Sequence, residues 1–249
     1  MSCETCAAAC PAAKGARTSG GQGAGVAVAL LGQPNSGKST LFNGLTGARQ
    51  HVGNWPGKTV ERKEGSFRIG DTQCRVVDLP GAYGLSANSP EEEVTRDYLE
   101  SGDADVVVVM ADASQLERSL YMLAEFAAAY PEQPSLLALN LMDVAEGQGK
   151  RIDSALIEQR LGIPVVPLVA SRLEGYGNLL CAIERTARER PSIDDDRLRR
   201  EMASAPATAQ GAGKARFAWI EWLLDGAVSA PEKAHALSRF AGQNPSPSP

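Results

Sequence analysis

The sequence predicts an α/β fold, a doubly wound and mostly parallel sheet with one antiparallel hairpin, followed by a small all-helical subdomain. Three observations support this fold class. Short apolar runs alternate with amphipathic helical patterns between residues 26 and 190. Gly70 and Asp71 separate two alternating runs, as in a tight hairpin. From Pro191 onward the strand patterns stop and only helical patterns continue.

The bounds of the elements follow from these patterns and from local signals. Ser89 followed by Pro90 begins a helix well, because a capping hydroxyl and a first-turn proline both suit an N-terminus. The glycine-rich, polar stretch 51–59 is predicted to be a loop. Strands are expected at 26–31, 60–69, 72–77, 105–110, 136–139 and 165–169. Besides the helix that begins at Ser89, helices are expected at 39–45, 114–129, 153–161, 177–190, 194–203, 213–228 and 231–241.

The helix expected at 213–228 has one apolar face. That face carries Phe217, Ile220, Leu224 and Val228. Trp219 and Trp222 are interpreted as packing residues rather than functional ones.

Composition and charge exclude several classes of function. The chain has 249 residues, a hydrophobic content of 43% and a net charge of −5. The negative charge leaves no basic surface for extended nucleic-acid binding. No apolar run approaches the length of a membrane span, and the N-terminus has no signal-peptide core, so we expect a cytoplasmic chain without structural disulfides. Cys74 and Cys181 fall in apolar patterns and are expected to be small core residues.

Residues 1–25 are small, glycine-rich and without apolar periodicity, and we expect them to form a flexible tail. Cys3, Cys6 and Cys10 lie in this tail. Three thiolates so close together could hold a metal ion or an iron–sulfur cluster, with a fourth ligand from elsewhere. Because only three ligands are visible, an incidental cysteine-bearing tail is the favoured interpretation.

A glycine-rich phosphate-binding pattern follows the first expected strand. Gly32 and Gly37 enclose four residues and are followed by Lys38 and Ser39 at the start of a helical pattern. The amides of such a loop and the helix N-terminus cradle phosphates, the lysine reaches the β- and γ-phosphates, and the serine hydroxyl ligates Mg²⁺. Contacts with the phosphates are expected from Gly32, Gln33, Pro34, Asn35, Ser36, Gly37, Lys38, Ser39 and Thr40.

Further motifs stand at or near strand ends, where doubly wound sheets bind their ligands. Asp78-x-x-Gly81 fits a carboxylate beside Mg²⁺ and a glycine amide that senses a γ-phosphate. In the preceding loop, Thr59 is expected to close on Mg²⁺ through its hydroxyl. Asn140-x-x-Asp143 fits guanine, because a carboxylate accepts hydrogen bonds from the ring N–H and the exocyclic amine, which adenine cannot match.

Neighbouring residues complete the expected site. A backbone amide at Ala170-Ser171 lies where it would meet the guanine oxygen. Other nucleotide contacts are expected from Gly57, Lys58, Thr59, Met142 and Arg172. The expected Mg²⁺ ligands are Ser39, Thr59 and Asp78. In this order, the motifs resemble those of the P-loop GTPases.

Longer segments narrow the resemblance to one family. Four segments of the sequence resemble the cytosolic GTPase part of the ferrous iron transport protein B (FeoB) family. They are GQPNSGKSTLFN (32–43), HVGNWPGKTVE (51–61), DLPGAYGLSANSPEEEVTRDYL (78–99) and NLMD (140–143). The resemblance covers residues 26–190 as a GTPase domain. It extends less closely to 191–241, as a helical domain that slows GDP release. Residues 242–249, rich in proline and serine, are expected to form an extended linker.

The family resemblance implies a function and a setting. It implies hydrolysis of GTP to GDP, with loops at 50–60 and 82–90 that change order between the two states and gate Fe²⁺ uptake. It places the full-length protein at the cytoplasmic face of the inner membrane. The implied partners are GTP, a membrane permease domain of the same protein, small cytosolic Feo accessory proteins and a second copy of the chain. Nucleic acid is not among them.

Ala82 follows Gly81 at the position where many GTPases place a water-orienting glutamine. The resemblance implies that K⁺ stimulates hydrolysis instead, bound by the Asn35 side chain and the carbonyls of Gly53 and Trp55. A cation there would neutralise transition-state charge, as an arginine finger does. The candidate catalytic residues are therefore Asn35, Lys38 and Thr59.

Three alternatives stay open at this point. A soluble ribosome- or tRNA-associated K⁺-dependent GTPase shares the motifs, but it would need a basic appendage that 191–249 does not offer. Asn140 and Asp143 argue against an ATP-dependent phosphotransferase. A nucleotide-dependent docking module that does not hydrolyse GTP would be distinguished by single-turnover phosphate release.

Overall fold

The computed structural model describes residues 25–47, 49–86, 88–206 and 208–229. Its strands are β1 (Val26–Gly32), β2 (Gln50–Asn54), β3 (Glu61–Ile69), β4 (Thr72–Asp78), β5 (Val106–Asp112), β6 (Ser135–Asn140), β7 (Arg151–Ile152), β8 (Val165–Pro167) and β9 (Val228–Ser229). Its α-helices are α1 (Lys38–Thr46), α2 (Pro90–Ser101), α3 (Leu116–Ala129), α4 (Met142–Gly147), α5 (Ser154–Leu161), α6 (Tyr176–Glu189), α7 (Asp196–Ser204) and α8 (Ala209–Leu224).

The main sheet has the strand order β2-β3-β4-β1-β5-β6-β8. The pairings from β4 through β8 are parallel, whereas β2–β3 and β3–β4 are antiparallel. The central strands β1, β5 and β6 are buried along almost their whole length. This burial on both faces explains why they are continuous apolar runs in the sequence. The predicted fold class, mostly parallel with an antiparallel hairpin and a helical part, is confirmed.

The prediction of a loop at 51–59 is wrong over its first part. Gln50–Asn54 form the edge strand β2, which pairs antiparallel with β3 and sets His51 opposite Glu64. Most β2 residues are exposed, so the strand has no buried face and its sequence shows no clear alternation. Backbone hydrogen bonding to β3, rather than apolar burial, defines it.

Helices cover both faces of the sheet and create two apolar clusters. On one face, α1 and α6 bury residues such as Phe42 and Ile183 against the strands. On the other face, α2, α3 and α5 form a larger cluster that also takes in Leu198 of α7 and Trp219 of α8. The helical subdomain therefore packs on the face that carries α3. The buried Cys74 agrees with its prediction, whereas Cys181 is exposed on α6.

The last long helix is displaced from its predicted position. Thr208 caps α8 by accepting a hydrogen bond from the Gly211 amide, so the helix begins four residues earlier than expected. It ends at Leu224, and Val228 lies in β9, opposite Ile152 of β7. Phe217 is half-exposed, which contradicts its expected place on the buried face. Trp219 takes that place, fully buried, and its indole N–H donates to Asp195 at 2.8 Å.

Several predictions fall outside the described residues. The tail at 1–25, except for Gly25, and with it Cys3, Cys6 and Cys10, lies there, as do the helix at 231–241 and the linker at 242–249. In the part of the chain that the structure does describe, no helix combines the length and the apolar character needed to cross a bilayer.

Candidate nucleotide-binding site

The phosphate loop joins β1 to α1 at the carboxyl end of the sheet, between Gly32 and Lys38. Gly37 has a φ of 93°, a left-handed conformation that favours glycine. A methyl group at this position would also collide with the side-chain amide of Asn140. Asn35 has a φ of 66°, which asparagine tolerates better than most residues. The loop conformation therefore depends on the residue types of the motif.

Lys38 and Asp78 form a buried ion pair beneath this loop. The Lys38 Nζ lies 3.7 Å from the Asp78 Oδ1, and each side chain is only 7% exposed. The Ser39 hydroxyl donates a hydrogen bond of 3.2 Å to the other oxygen, Asp78 Oδ2. Burial lowers the pKa of Lys38 and raises the pKa of Asp78, and the attraction between the two charges offsets part of each shift.

The donor set around Asp78 fits Mg²⁺. The Asp78 Oδ1 atom is buried and accepts no hydrogen bond, and the Lys38 Nζ lies 3.7 Å from it. Carboxylate and hydroxyl oxygens are the ligands that Mg²⁺ prefers. The described ranges contain no group of three or more His, Cys, Asp or Glu side chains that would hold a metal by themselves. A cation at Asp78 would therefore need further oxygen ligands, such as phosphates.

Both ends of the Asn140 side-chain amide are hydrogen-bonded to backbone atoms. It is 2% exposed, its Nδ2 donates to the Ser36 carbonyl at 2.9 Å, and its Oδ1 accepts from the Ala170 amide at 2.9 Å. The end of β6 is thereby bound to the phosphate loop and to the turn after β8. Asn140 fixes the shape of the site rather than exposing its amide to a base. The Ala170 amide is likewise engaged, which leaves the neighbouring Ser171 amide as the candidate donor to a guanine oxygen.

Asp143 stands one helical turn beyond β6 and pairs with Arg172. The Arg172 Nη2 lies 2.9 Å from the Asp143 Oδ2, and the Arg172 Nε lies 3.3 Å from Glu174. The other oxygen, Asp143 Oδ1, is buried and accepts no hydrogen bond. Leu141 holds the turn before Asp143 with a φ of 61°. The carboxylate therefore has one oxygen held by arginine and one available to a hydrogen-bond donor.

The loop after β2 is held against α2. Trp55 is buried and its ring lies edge-on to Tyr98 at 5.5 Å between centroids. Lys58 pairs with Glu93 at 2.7 Å and Asp97 at 3.8 Å. The pairing with Lys58 lowers the pKa of Glu93. Thr59 is exposed.

The residues of the predicted K⁺ site lie in two elements. Asn35 is exposed in the phosphate loop, and Gly53 lies within β2. The Trp55 carbonyl accepts a hydrogen bond from the Lys58 amide at 3.0 Å. A carbonyl oxygen has a second lone pair, so this bond still permits coordination. The cation role of these three residues stays a prediction.

Two other predicted residues, one beside the phosphate loop and one within it, have contacts of their own. A methyl group at Gly81 would lie 3.3 Å from the Pro34 Cα, so this glycine, three residues after the end of β4, directly abuts the loop. The Gln33 side chain donates to the Arg118 carbonyl on α3 at 3.0 Å, which anchors the loop from outside. Contacts of the nucleotide with all the predicted residues stay predictions. Among these residues are Gly32, Thr40, Gly57, Lys58, Met142, Ser171 and Arg172.

The fold and the site together define a P-loop NTPase. A phosphate loop after the central strand, a buried Lys–Asp pair at the adjoining strand end and polar residues after β6 and β8 meet at one edge of a parallel sheet. A family model described as "Ferrous iron transport protein B" matches residues 26–183. The chain belongs to the ferrous iron transport protein B family.

Relatives of known name support this assignment. The Fe(2+) transporter FeoB of Salmonella typhimurium is 51% identical over 162 residues, which are 64% of this chain and 21% of the relative. The Escherichia coli K12 transporter of the same name is 49% identical over the same length. The chain thus matches only about a fifth of the length of these curated relatives.

Solved structures are similar over more of the chain. The cytosolic domain of L. pneumophila FeoB has a TM-score of 0.72 at 27% identity and covers 82% of this chain and 100% of its own. The cytosolic domain of the T. maritima FeoB iron transporter in its GMPPNP form has a TM-score of 0.72 at 30% identity, covering 82% and 99%. Both neighbours extend beyond the family-model match, in accord with a helical part after the sheet.

Proposed function

We propose that this chain binds GTP and GDP and hydrolyses GTP, as the regulatory cytoplasmic part of a bacterial ferrous iron transporter. The observation that carries the proposal is the connection made by Asn140. This side chain binds the phosphate loop to the turn after β8, so that a buried Lys38–Asp78 pair and the Asp143 carboxylate face the same edge of the sheet. The T. maritima relative was solved with GMPPNP and with GDP, which supports a guanine nucleotide here.

The chain's own residues account for binding. Lys38 and the loop amides would face the phosphates, and a triphosphate would add charge-assisted hydrogen bonds to the ammonium that Asp78 already pairs with. Asp143 accepts hydrogen bonds from the guanine ring N–H and amine, for which one carboxylate oxygen is already available. The Ser171 amide donates to the guanine oxygen. The interaction of Gly81 with a γ-phosphate would distinguish GTP from GDP.

Mg²⁺ would be held by Ser39, Thr59 and Asp78. When bound, it neutralises charge on the phosphates. Thr59 is exposed in this structure. The loop at 50–60 would change conformation between the GTP and GDP states as Thr59 closes on the ion. For K⁺, the proposed ligands are Asn35, Gly53 and Trp55.

The proposed setting is the cytoplasmic face of the inner membrane. There, nucleotide-dependent changes in the 50–60 and 82–90 loops would gate Fe²⁺ passage through a permease domain of the full-length protein. Small cytosolic Feo proteins and a second copy of the chain are further proposed partners.

Phosphate release tests the proposal. Purified protein is given GTP or ATP, each in NaCl and in KCl, with Lys38→Ala as the inactive control. We expect release from GTP only, faster in KCl, and none from the control. Guanine binding without release in a single turnover would favour a docking module. Equal release from ATP would contradict the assignment of Asp143.

A further inference from the structure

A polar cavity of about 130 Å³ lies beside the phosphate loop, on the side that faces α3. It is lined by residues 33–36 of the loop, by Tyr83 and by the β5–α3 junction between Asp112 and Ser119. Since a water molecule takes up about 30 Å³ in the liquid, the cavity has room for roughly four waters or for a small ion such as phosphate. The contacts proposed above for the nucleotide do not involve α3, so this cavity needs a separate explanation.

Two buried serines line this cavity. Ser36 is 2% exposed and Ser119 is 4% exposed. The Ser36 Oγ is buried without a hydrogen-bond partner, and the Ser119 hydroxyl bonds to no residue within the described ranges. Buried polar groups in folded proteins nearly always have a partner, so two such hydroxyls at one cavity indicate a bound group that forms hydrogen bonds with them.

Arg118 gives the cavity a positive charge. Its guanidinium lies 5.7 Å from the centroid of the Tyr83 ring, and it forms no ion pair with a residue that the structure describes. The N-terminus of α3 adds to this charge, because its N-cap residue Gln115 accepts no capping hydrogen bond and leaves the first-turn amides without a side-chain acceptor. Both features favour an anion.

Asp112 is the one carboxylate among the described residues that line the cavity. Its Oδ1 accepts hydrogen bonds from the Ser114 amide at 2.8 Å and from the Ser114 hydroxyl at 2.6 Å. These bonds stabilise its negative charge, whereas the guanidinium of Arg118 carries only N–H donors and has no such partner. An oxyanion would use these donors together with both serine hydroxyls, whereas the guanidinium would repel a metal cation.

The cavity adjoins the place where the γ-phosphate of GTP is proposed to bind. Gly81, the proposed γ-phosphate sensor, abuts Pro34, and Tyr83, two residues further along, lines the cavity. The Gln33 side chain donates to the Arg118 carbonyl at 3.0 Å, so the phosphate loop and α3 are joined at this point. A phosphate ion released from GTP would therefore have this cavity next to the loop that held it.

We propose that this cavity is a subsite for inorganic phosphate, in which Arg118, Ser36 and Ser119 hold the phosphate ion that the proposed hydrolysis releases. The inference rests on the proposed function, because that reaction supplies the phosphate. In that reaction water adds to the γ-phosphorus, the bond to the β-phosphate oxygen breaks, and GDP and phosphate are formed. Arg118 contributes charge-assisted hydrogen bonds to the oxyanion, and the two serines contribute neutral ones.

Arg118→Met tests the subsite, because it removes the guanidinium but keeps the carbonyl that holds Gln33. Arg188→Met is the matched control, since it removes the same charge from an exposed arginine on α6, on the other face of the sheet. Equilibrium dialysis measures binding of radiolabelled inorganic phosphate to the GDP-loaded proteins. We expect phosphate affinity to fall about tenfold or more in Arg118→Met, as a charged hydrogen bond is lost, and to match wild type in Arg188→Met. Wild-type phosphate affinity in Arg118→Met, or no saturable binding to GDP-loaded wild type, would overturn the proposal.

Lys38→Ala separates failure of the subsite from failure of the proposed function. If wild type does not bind GDP, the proposed function fails, and the dialysis is repeated without nucleotide on Lys38→Ala and on Lys38→Ala/Arg118→Met. Lys38→Ala weakens phosphate binding to the loop itself, so binding that is then lost with Arg118→Met would still locate the anion in the cavity. Equal phosphate binding by these two proteins would overturn the subsite.

Product inhibition tests the source of the phosphate. Phosphate added at concentrations that fill the subsite, with the K⁺ concentration held constant, should slow the formation of GDP from GTP by wild type. The same inhibition of Arg118→Met should need about tenfold more phosphate, in line with its weaker binding. If bound phosphate leaves the rate of GDP formation by wild type unchanged, the assignment of the subsite to the released product would be overturned.

Discussion

Asn140 and Ser36 are 104 residues apart in sequence and are joined by a buried hydrogen bond of 2.9 Å, from the Asn140 Nδ2 to the Ser36 carbonyl. The opposite end of the same amide accepts from Ala170. The phosphate side and the base side of the site are therefore not independent loops. A change at the end of β6 is transmitted to the phosphate loop through one side chain.

Asn140→Ala is expected to disturb stability and binding together. It leaves the Ser36 carbonyl and the Ala170 amide buried without partners, at about 1–3 kcal/mol each. Urea unfolding should show this loss, and calorimetry should show GDP binding weakened by about tenfold or more, equivalent to 1.4 kcal/mol. Asn43→Ala, on the exposed side of α1, is the control and should change neither. Wild-type GDP affinity in Asn140→Ala would contradict the role of the bridge.

Gly37→Ala tests the conformation of the loop itself. The φ of 93° strains any L-residue by roughly 1–2 kcal/mol, and the added methyl group collides with the Asn140 amide. Gly47→Ala is a matched control, because Gly47 also has a positive φ, of 56°, but a methyl group there meets nothing within 4 Å. We expect both variants to be destabilised and only Gly37→Ala to lose GDP binding in calorimetry. Equal GDP affinity in the two variants would contradict the idea that GDP binding depends on the contact between Gly37 and Asn140.

The sequence predicted the centre of the fold well because burial governs it. The runs in β1, β5 and β6 are apolar since both faces of these strands are covered, and the hairpin turn at Gly70-Asp71 is a local signal. β2 and the short β7–β9 pair were missed for the opposite reason. They are exposed or only two residues long, so backbone pairing with a distant segment, rather than a local pattern, determines them.

In the candidate site, as in the fold, only the features that depend on local sequence could be predicted. The spacing and order of local motifs selected the phosphate loop, Asp78 and Asp143 as candidate site residues, because such motifs carry that chemistry within a few neighbouring residues. The contacts of Asn140 with two backbones, the pairing of Arg172 with Asp143 and the pairing of Lys58 with α2 were not predictable, since each depends on how distant segments meet.

Asp143→Asn is expected to change base preference more than stability. The amide replaces an acceptor with a donor, so GDP affinity should fall about 100-fold or more, while xanthosine diphosphate, whose ring carries an oxygen in place of the amine, should gain affinity. The Arg172 ion pair that it breaks is largely exposed, with Arg172 54% accessible, so the free energy of unfolding should change by less than about 1 kcal/mol.

Glu174→Gln is the control for this variant, because Glu174 is the other carboxylate that pairs with Arg172. Its nucleotide preference should match wild type in competition binding. A guanine preference retained by Asp143→Asn would show that another group reads the base.

Cys74 is expected to make the free energy of unfolding depend on pH in the alkaline range. Burial, with a smaller effect from Glu184, raises the pKa of the Cys74 thiol from 9.0 to about 11. Between these values the unfolded chain ionises and the folded chain does not, so stabilisation present below pH 9.0 is lost toward pH 11. The free energy of unfolding should fall about 1–3 kcal/mol further in wild type than in Cys74→Ala over this range. If the free energy of unfolding changes equally with pH in the two proteins, the raised pKa of Cys74 would be refuted.

Asn35 offers the sharpest test of the proposed monovalent cation. Its side chain is exposed in the phosphate loop, and its φ of 66° means that alanine would add strain as well as remove the amide. Asn35→Gly removes the amide without that strain and separates the two effects. In both variants the ratio of GTP hydrolysis rates in KCl and NaCl should fall to about one, because no side-chain oxygen remains to hold K⁺ between the phosphates.

The rate in NaCl should stay close to wild type for Asn35→Gly, since Lys38 and Asp78 are untouched. Persistence of the K⁺ effect in Asn35→Gly would assign the cation to other ligands. If the K⁺ effect is lost in Asn35→Ala but kept in Asn35→Gly, strain in the loop rather than loss of the amide explains its loss.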